Sequence, residues 1–272
     1  MTIDISEEAF HDDLSYSCWR TDIASEGNYV SFFAKAASMT QEPQISNKIL
    51  AALSREEFEP LAAKLKPVQL ILGEILYLPE QKIEHVYFVN SGVVSLLAAL
   101  ENGATVEAGV IGPEGMAGIS VILGADSTPN QALIQSAGEA LRISSTDIRT
   151  EFRKGGKLRD LLLRYTHTLF TQVAQTAACN RLHSIEQRLS RWLLLTQDRV
   201  GRNDFVLTQD FLSRMLGVRR AGVSVAANTL RQAGLIDYHR GTMTVLDRQG
   251  LERYSCECYA IVRDEYDRYL SL

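Results

Sequence analysis

Arginine, serine, threonine and asparagine gather in one stretch, and their order suits contact with a polyanion. Thr208-Gln209-Asp210-Phe211-Leu212-Ser213-Arg214-Met215-Leu216-Gly217 is followed by Val218-Arg219-Arg220-Ala221-Gly222-Val223-Ser224-Val225-Ala226-Ala227-Asn228-Thr229-Leu230-Arg231. An arginine can donate two hydrogen bonds to guanine in a major groove, and Ser, Thr and Asn can hold phosphates. Thr208 suits the cap of a first helix. Phe211, Leu212 and Met215 give that helix a buried face, and Gly217 stands where a tight turn needs positive φ. Val223, Ala227 and Leu230 form the buried stripe of a second helix. Leu235–Tyr238 and Met243–Leu246 read as a hairpin with Arg240-Gly241 at its tip, a basic wing for backbone phosphates. DNA contacts are therefore expected from Thr208, Arg219, Arg220, Gly222, Ser224, Asn228, Arg231 and Arg240. An ordinary helical hairpin with chance arginines would not show cap, turn glycine, small-residue helix and wing in this order.

Other residue types capable of chemistry are scattered. The cysteines are Cys18, Cys179, Cys256 and Cys258. Four in 272 residues make no disulfide scaffold and suit a reducing cytoplasm. Cys256-Glu257-Cys258 has no histidine near it in the sequence, so it is assigned to helix packing and no metal site is expected. His85, His167 and His183 are haem candidates by type only. The chain has no G-x-S-x-G, no H-E-x-x-H, no Walker loop and no nucleophile–base constellation, so it is not read as an enzyme. The alternative is an enzyme or small-molecule receptor that uses the barrel described next, keeping the helical end for assembly.

The elements that must hold the basic stretch differ along the chain. Met1–Asn28 carries seven acids and one base, whereas Ser184–Leu246 carries nine arginines and five acids. The overall charge of −5 thus conceals a basic C-terminal module. Residues 1–45 show no clean period and are read as a mobile extension. Ser46–Leu65 has helical spacing, capped by Ser46 or Asn47 and stopped by Pro67. From Val68 to Ile143, short β-rich runs alternate with turn residues such as Glu101-Asn102-Gly103, which implies a barrel or sandwich. Met116–Leu123 is expected as a short helix within it. Leu158, Leu162, Tyr165, Leu169, Val173 and Thr176 step by 4, 3, 4, 4 and 3 residues, close to a heptad seam. They are assigned to a dimer interface, with a helix lying on its own domain as the alternative. Apolar runs around Val93–Leu100 are too short to span a bilayer, and Met1–Glu8 lacks the pattern of a signal peptide. No membrane partner is expected.

His85-Val86-Tyr87-Phe88-Val89-Asn90-Ser91-Gly92, the long central helix and the helix-turn-helix with its wing together resemble bacterial transcription regulators of the Crp/Fnr superfamily, over about Ser46 to Leu270. The resemblance implies an α+β chain. It would comprise a cyclic-nucleotide-binding-like antiparallel β-barrel of jelly-roll type over 46–155, a central dimerisation helix over 156–182, and a winged helix-turn-helix with a C-terminal helix over 183–272. It implies a homodimer on double-stranded DNA with a two-fold symmetric site and, for an activator, contact with RNA polymerase.

Departures from that family concern the signal. Cyclic-AMP-binding members use a Gly-Glu pair and a later Arg-Ser pair around the ribose and phosphate. The matching residues here are Gly115-Met116 and Asn130-Gln131, and no arginine occurs between Arg55 and Arg142. A polar Thr-Ser pair that meets adenine becomes Val173-Ala174. Gly115, Met116, Ala117, Asn130, Gln131 and Val173 are the candidate effector pocket, but a buried phosphate without a cation is costly, so cyclic AMP is not the expected ligand. Glu114 is read as a turn residue. The oxygen-sensing branch of the family clusters three cysteines near the N-terminus, where this chain has only Cys18, so neither an iron–sulfur cluster nor haem is expected and the cofactor stays unknown. The prototype's recognition helix begins Arg-Glu-Thr with an arginine one turn on. Here the residues are Arg220-Ala221-Gly222 with Val225, so the operator should differ from the prototype's.

Overall fold

The computed structural model describes residues 45–101, 103–239 and 241–271. Nearly all of the expected extension over 1–45 lies outside these residues, as do Cys18, Asn102 and the wing-tip Arg240. The helix expected over Ser46–Leu65 is two helices, α1 (Lys48–Ala51) and α2 (Arg55–Ala62). Ser54 interrupts it because a capping box forms there: its hydroxyl accepts from the Glu57 N–H, and the Glu57 carboxylate accepts from the Ser54 N–H. Asn47 caps α1 and is fully buried, donating from Nδ2 to the carbonyls of Val89 and Gly115, each at 2.8 Å. Pro67 lies within the first strand rather than ending a helix.

The strands are β1 (Lys66–Leu70), β2 (Ile75–Tyr77), β3 (His85–Val89), β4 (Val93–Ala99), β5 (Thr105–Ile111), β6 (Met116–Ala117), β7 (Asn130–Ser136) and β8 (Gly138–Ser144). They form two antiparallel four-stranded sheets, ordered β1-β8-β3-β6 and β2-β7-β4-β5. Val86, Phe88, Leu97, Ile111, Met116, Leu133 and Leu141 are among their buried side chains. The helix expected over Met116–Leu123 is replaced by β6, paired with β3 at Phe88 and Tyr87, and a short 3-10 turn over Ile119–Val121. Gly118 at φ +92° makes the change of direction.

Helices α3 (Ser145–Lys154) and α4 (Gly156–Leu182) follow. The 27-residue α4 corrects the expected dimer seam. Leu158, Leu162, Tyr165, Leu169 and Thr176 are buried within the single chain, and Val173 is half-buried. Helix α4 lies against β5 and a C-terminal helix of the same chain, so most of this stripe is already covered within one copy. The apolar spacing was real, but it records packing on the chain's own domain. A second stripe faces outward: Leu163, His167, Phe170, Ala174 and Ala177, at steps of 4, 3, 4 and 3. Phe170 in that stripe is 70% exposed.

The C-terminal module comprises α5 (Ile185–Val200), β9 (Asp204–Val206), α6 (Gln209–Leu216), α7 (Arg220–Gln232), β10 (Ile236–His239), β11 (Thr242–Val245), α8 (Arg248–Tyr254) and α9 (Cys258–Leu270). Every residue of α5 from Arg188 to Gln197 is buried, because α6, α7, α8, α9 and β4 surround it. The third wing strand, β9, pairs with β11. Helix α9 returns along α4 and α5 toward the barrel.

Candidate nucleic-acid interface and sensor core

Thr208 caps α6, its hydroxyl accepting from the Phe211 N–H at 3.0 Å. Gly217 closes that helix at φ +61°, a conformation costly for residues with a Cβ. Arg219 is the N-cap of α7 and Arg220 its first residue, and both are exposed. Val223, Ala226, Ala227 and Leu230 are buried, which turns Ala221, Val225 and Asn228 outward. Arg231 is exposed near the far end. The outward face therefore has small residues along its middle and arginines toward both ends, a shape that admits close approach to a groove.

Two assigned contacts change role. Gly222 turns away from the outward face: a Cβ there would stand 2.9 Å from Ile185 Cδ1 on α5. It is a glycine because α7 packs closely on α5. The Ser224 hydroxyl lies 2.7 Å from Gln209 Oε1 and 3.1 Å from the Arg220 carbonyl, so it ties the two helices together. Val225, 61% exposed, joins the outward face. Helical phase, with Val223 and Ala227 as the buried reference, would have placed it there.

Beneath this module lies a buried polar network that sequence reading missed. Glu114, expected as a turn residue, accepts from Arg199 Nε at 2.7 Å, with the two side chains 8% and 5% exposed. Arg199 also donates to the Leu195 carbonyl at 2.8 Å and to Gln172 Oε1 at 3.2 Å, and it stands over the Tyr266 ring. Gln172 in turn donates to the Val110 carbonyl at 3.0 Å. Tyr269 donates to the Glu114 carbonyl at 3.1 Å, and its ring lies 6.1 Å from that of Tyr165. Barrel, central helix, α5 and α9 meet at one ion pair. Its partners are 85 residues apart, so no local pattern signals it.

The candidate effector residues are not gathered into one open pocket. Tyr165 covers Gly115, where a Cβ would lie 2.6 Å from its hydroxyl, and that hydroxyl donates to the Met116 carbonyl at 3.2 Å. Met116 and Ala117 are fully buried in β6 of one sheet, whereas Asn130 and Gln131 lie in β7 of the other. The cassette closes because it forms a strand against β3, and Tyr165 fills the adjoining space.

The cysteine reading also changes. His183, distant in sequence, lies 3.5 Å from Cys258 Sγ, so Cys256-Glu257-Cys258 does have a histidine beside it in space.

A second polar chain joins barrel to α5. Ser95 Oγ lies 2.8 Å from Glu107 Oε2 and 2.7 Å from Gln135 Oε1, and Gln135 Nε2 donates to Thr196 Oγ1 at 3.1 Å. Ser95 Oγ has one proton, so it donates to one of these two oxygens at a time. Burial pushes the Glu107 carboxyl up to about 7, despite Ser95 and the nearby Arg191 and Arg199 acting the other way.

Two family models match this chain: a cyclic nucleotide-binding domain over residues 67–154 and a Crp-like helix-turn-helix domain over residues 187–254. Among solved structures, a transcriptional regulator of the crp/fnr family from Eubacterium rectale aligns with a TM-score of 0.62 at 16% identity, covering 76% of this chain and 96% of that one. FixK2 from Bradyrhizobium japonicum aligns at 0.61 and 16%, covering 71% and 98%. The c-di-GMP responsive regulator CLP of Xanthomonas campestris aligns at 0.57 and 15%, covering 71% and 100%. No curated protein matches the chain. Among the described residues, no helix is long and apolar enough to cross a membrane.

Glu107 yields a pH prediction. The unfolded carboxyl ionises near 4.5 and the folded one at about 7, so the folded state holds the proton more tightly between those values. Glu107 then favours folding most at and below the unfolded value, and this contribution is lost as pH rises to about 7. Glu107→Gln should match wild type in thermal stability at about pH 5 and exceed it by several degrees at about pH 8. A gap independent of pH would show that the buried carboxyl does not titrate there.

Proposed function

We infer a mode of action from one premise: the chain belongs to the Crp/Fnr superfamily of DNA-binding transcription regulators. The observation that carries the reading is the outward face of α7, with exposed Arg219, Arg220, Ala221, Val225, Asn228 and Arg231 on a helix whose opposite side is buried. In the proposed complex, this helix enters the major groove. Arg220 reads guanine, Val225 or Ala221 meets a thymine methyl, and Thr208 with the first turn of α6 holds a phosphate. Arg219 and Arg231 flank the reading face.

The chain acts as a homodimer, and the outward stripe of α4 is its seam. Leu163, His167, Phe170, Ala174 and Ala177 follow heptad spacing and are exposed, with His167 at the edge of the stripe 3.5 Å from Glu265 of α9, and Phe170 leaves a large apolar surface in water. A two-fold dimer presents two α7 helices to a symmetric operator. The signal received by the barrel is not cyclic AMP. Met116 stands where a carboxylate would hold the ribose, and Arg199, the cation bonded beside this loop, is engaged by Glu114.

Three measurements test these assignments. Arg220→Ala should cost about 1–3 kcal/mol on a selected operator and much less on a scrambled duplex, while Thr208→Ala should weaken both similarly. Equal loss of affinity by Arg219→Ala and Arg220→Ala on both duplexes would remove base reading from the start of α7. Phe170→Asp combined with Leu163→Asp should yield folded monomers in light scattering, because both residues are exposed in the single chain. An unchanged dimer would place the seam elsewhere. Calorimetry with cyclic AMP should show no saturable heat at micromolar ligand, and a micromolar dissociation constant would refute the assignment of Met116.

A further inference from the structure

We propose that Cys179, His183, Cys256 and Cys258 form a mononuclear metal site of the zinc class, fastening the end of the central helix to the C-terminal segment. Their ligand atoms, one from each residue, all lie within 4.8 Å of one another. Cys179 Sγ is 3.5 Å from Cys256 Sγ, and Cys258 Sγ is 3.5 Å from His183 Nδ1. A tetrahedral ion with metal–sulfur bonds of about 2.3 Å and metal–nitrogen bonds of about 2.1 Å sets edges of about 3.6–3.8 Å between ligand atoms. The four atoms are thus close to a single coordination shell. Three sulfurs and one imidazole are a soft set, suited to zinc rather than to magnesium or calcium.

The surroundings support the same assignment independently. Glu257 Oε2 lies 3.3 Å from His183 Nε2, leaving Nδ1 directed at the sulfurs. A metal-bound imidazole characteristically gives its other N–H to a carboxylate in this way. Gln175 Nε2 donates to Cys258 Sγ at 3.2 Å, a bond that stabilises a thiolate. Three thiolates on a divalent ion leave one net negative charge, and the buried guanidinium groups of Arg188 and Arg191 act electrostatically on Cys179. All three cysteines are buried.

Chain geometry explains how the site arises from two segments. Cys179 and His183 are one helical turn apart, and the His183 N–H donates to the Cys179 carbonyl at 3.1 Å as the cap of α4. Cys256 and Cys258 lie where the link from α8 enters α9. A disulfide between Cys179 and Cys256 would leave Cys258, His183 and the Glu257 contact without a purpose, whereas one ion employs them all. An iron–sulfur cluster distributes its ligands over several irons and needs them farther apart. The ion would hold the junction between α4 and α5 against the base of α9, the helix that carries Tyr266 and Tyr269 to Glu114.

The experiment uses the full chain, purified under reducing conditions and assayed for bound metals by mass spectrometry. About one zinc per chain is expected, with at least a roughly tenfold loss in Cys179→Ser and Cys258→Ser. His183→Cys should retain the metal, as should Cys18→Ser. Because a serine variant can lose metal by unfolding, stripped wild-type protein is also titrated with cobalt. Visible tetrahedral bands with thiolate-to-cobalt charge transfer should saturate at one equivalent. Absence of both zinc and cobalt bands overturns the proposal. So does metal retained in every cysteine variant, a mass showing two hydrogens lost as a disulfide, or iron with acid-labile sulfide. None of these readouts depends on DNA binding.

Discussion

The ion pair between Glu114 and Arg199 is the contact on which the arrangement of modules rests. Moving two charges out of water costs several kcal/mol each, and their attraction offsets this only when the remaining donors and acceptors are also satisfied. Here they are. Arg199 has Glu114, Gln172 and the Leu195 carbonyl, and Glu114 Oε1 also accepts from the Gly112 N–H at 3.1 Å. The Tyr266 ring covers the guanidinium. Displacing Glu114 would strand a buried cation, so the barrel loop and the DNA-reading module are tied energetically. The same contact accounts for Gly109 and Gly112, where a Cβ would collide with Gln172 and Arg199 respectively.

This network also explains why α5 is buried on every side. It is the first helix of the C-terminal module, yet Thr196 and Arg199 reach barrel residues as directly as Leu189 and Leu193 reach the module's core. Reading head and barrel therefore share one helix, while α7 remains exposed on the side away from it. Helix α9 closes the assembly by bringing Tyr269 to Glu114, and it starts at Cys258, beside the junction of α4 and α5. The barrel loop, the junction and the C-terminal helix are thus successive contacts of one buried layer.

Local signals made the helix-turn-helix legible. Thr208, Gly217 and the spacing of Val223, Ala227 and Leu230 act within a few residues of one another, through caps, positive φ and helical phase. The β-rich region was legible for the same reason, since alternation and turn residues are short-range. The sequence by itself could therefore establish the module types, their order and the helix-turn-helix. It could not assign partners to apolar faces. Leu158 to Thr176 announced a buried stripe, but periodicity is identical whether the cover is a second copy or the chain's own β5 and α9. Nor could it pair Glu114 with Arg199, or His183 with Cys258, because ion pairs and ligand sets depend on separation in space, and chain folding brings these residues together from distant positions. Only the tertiary structure decided which surface of α4 stays uncovered, what closes the barrel loop, and which cysteines meet a histidine.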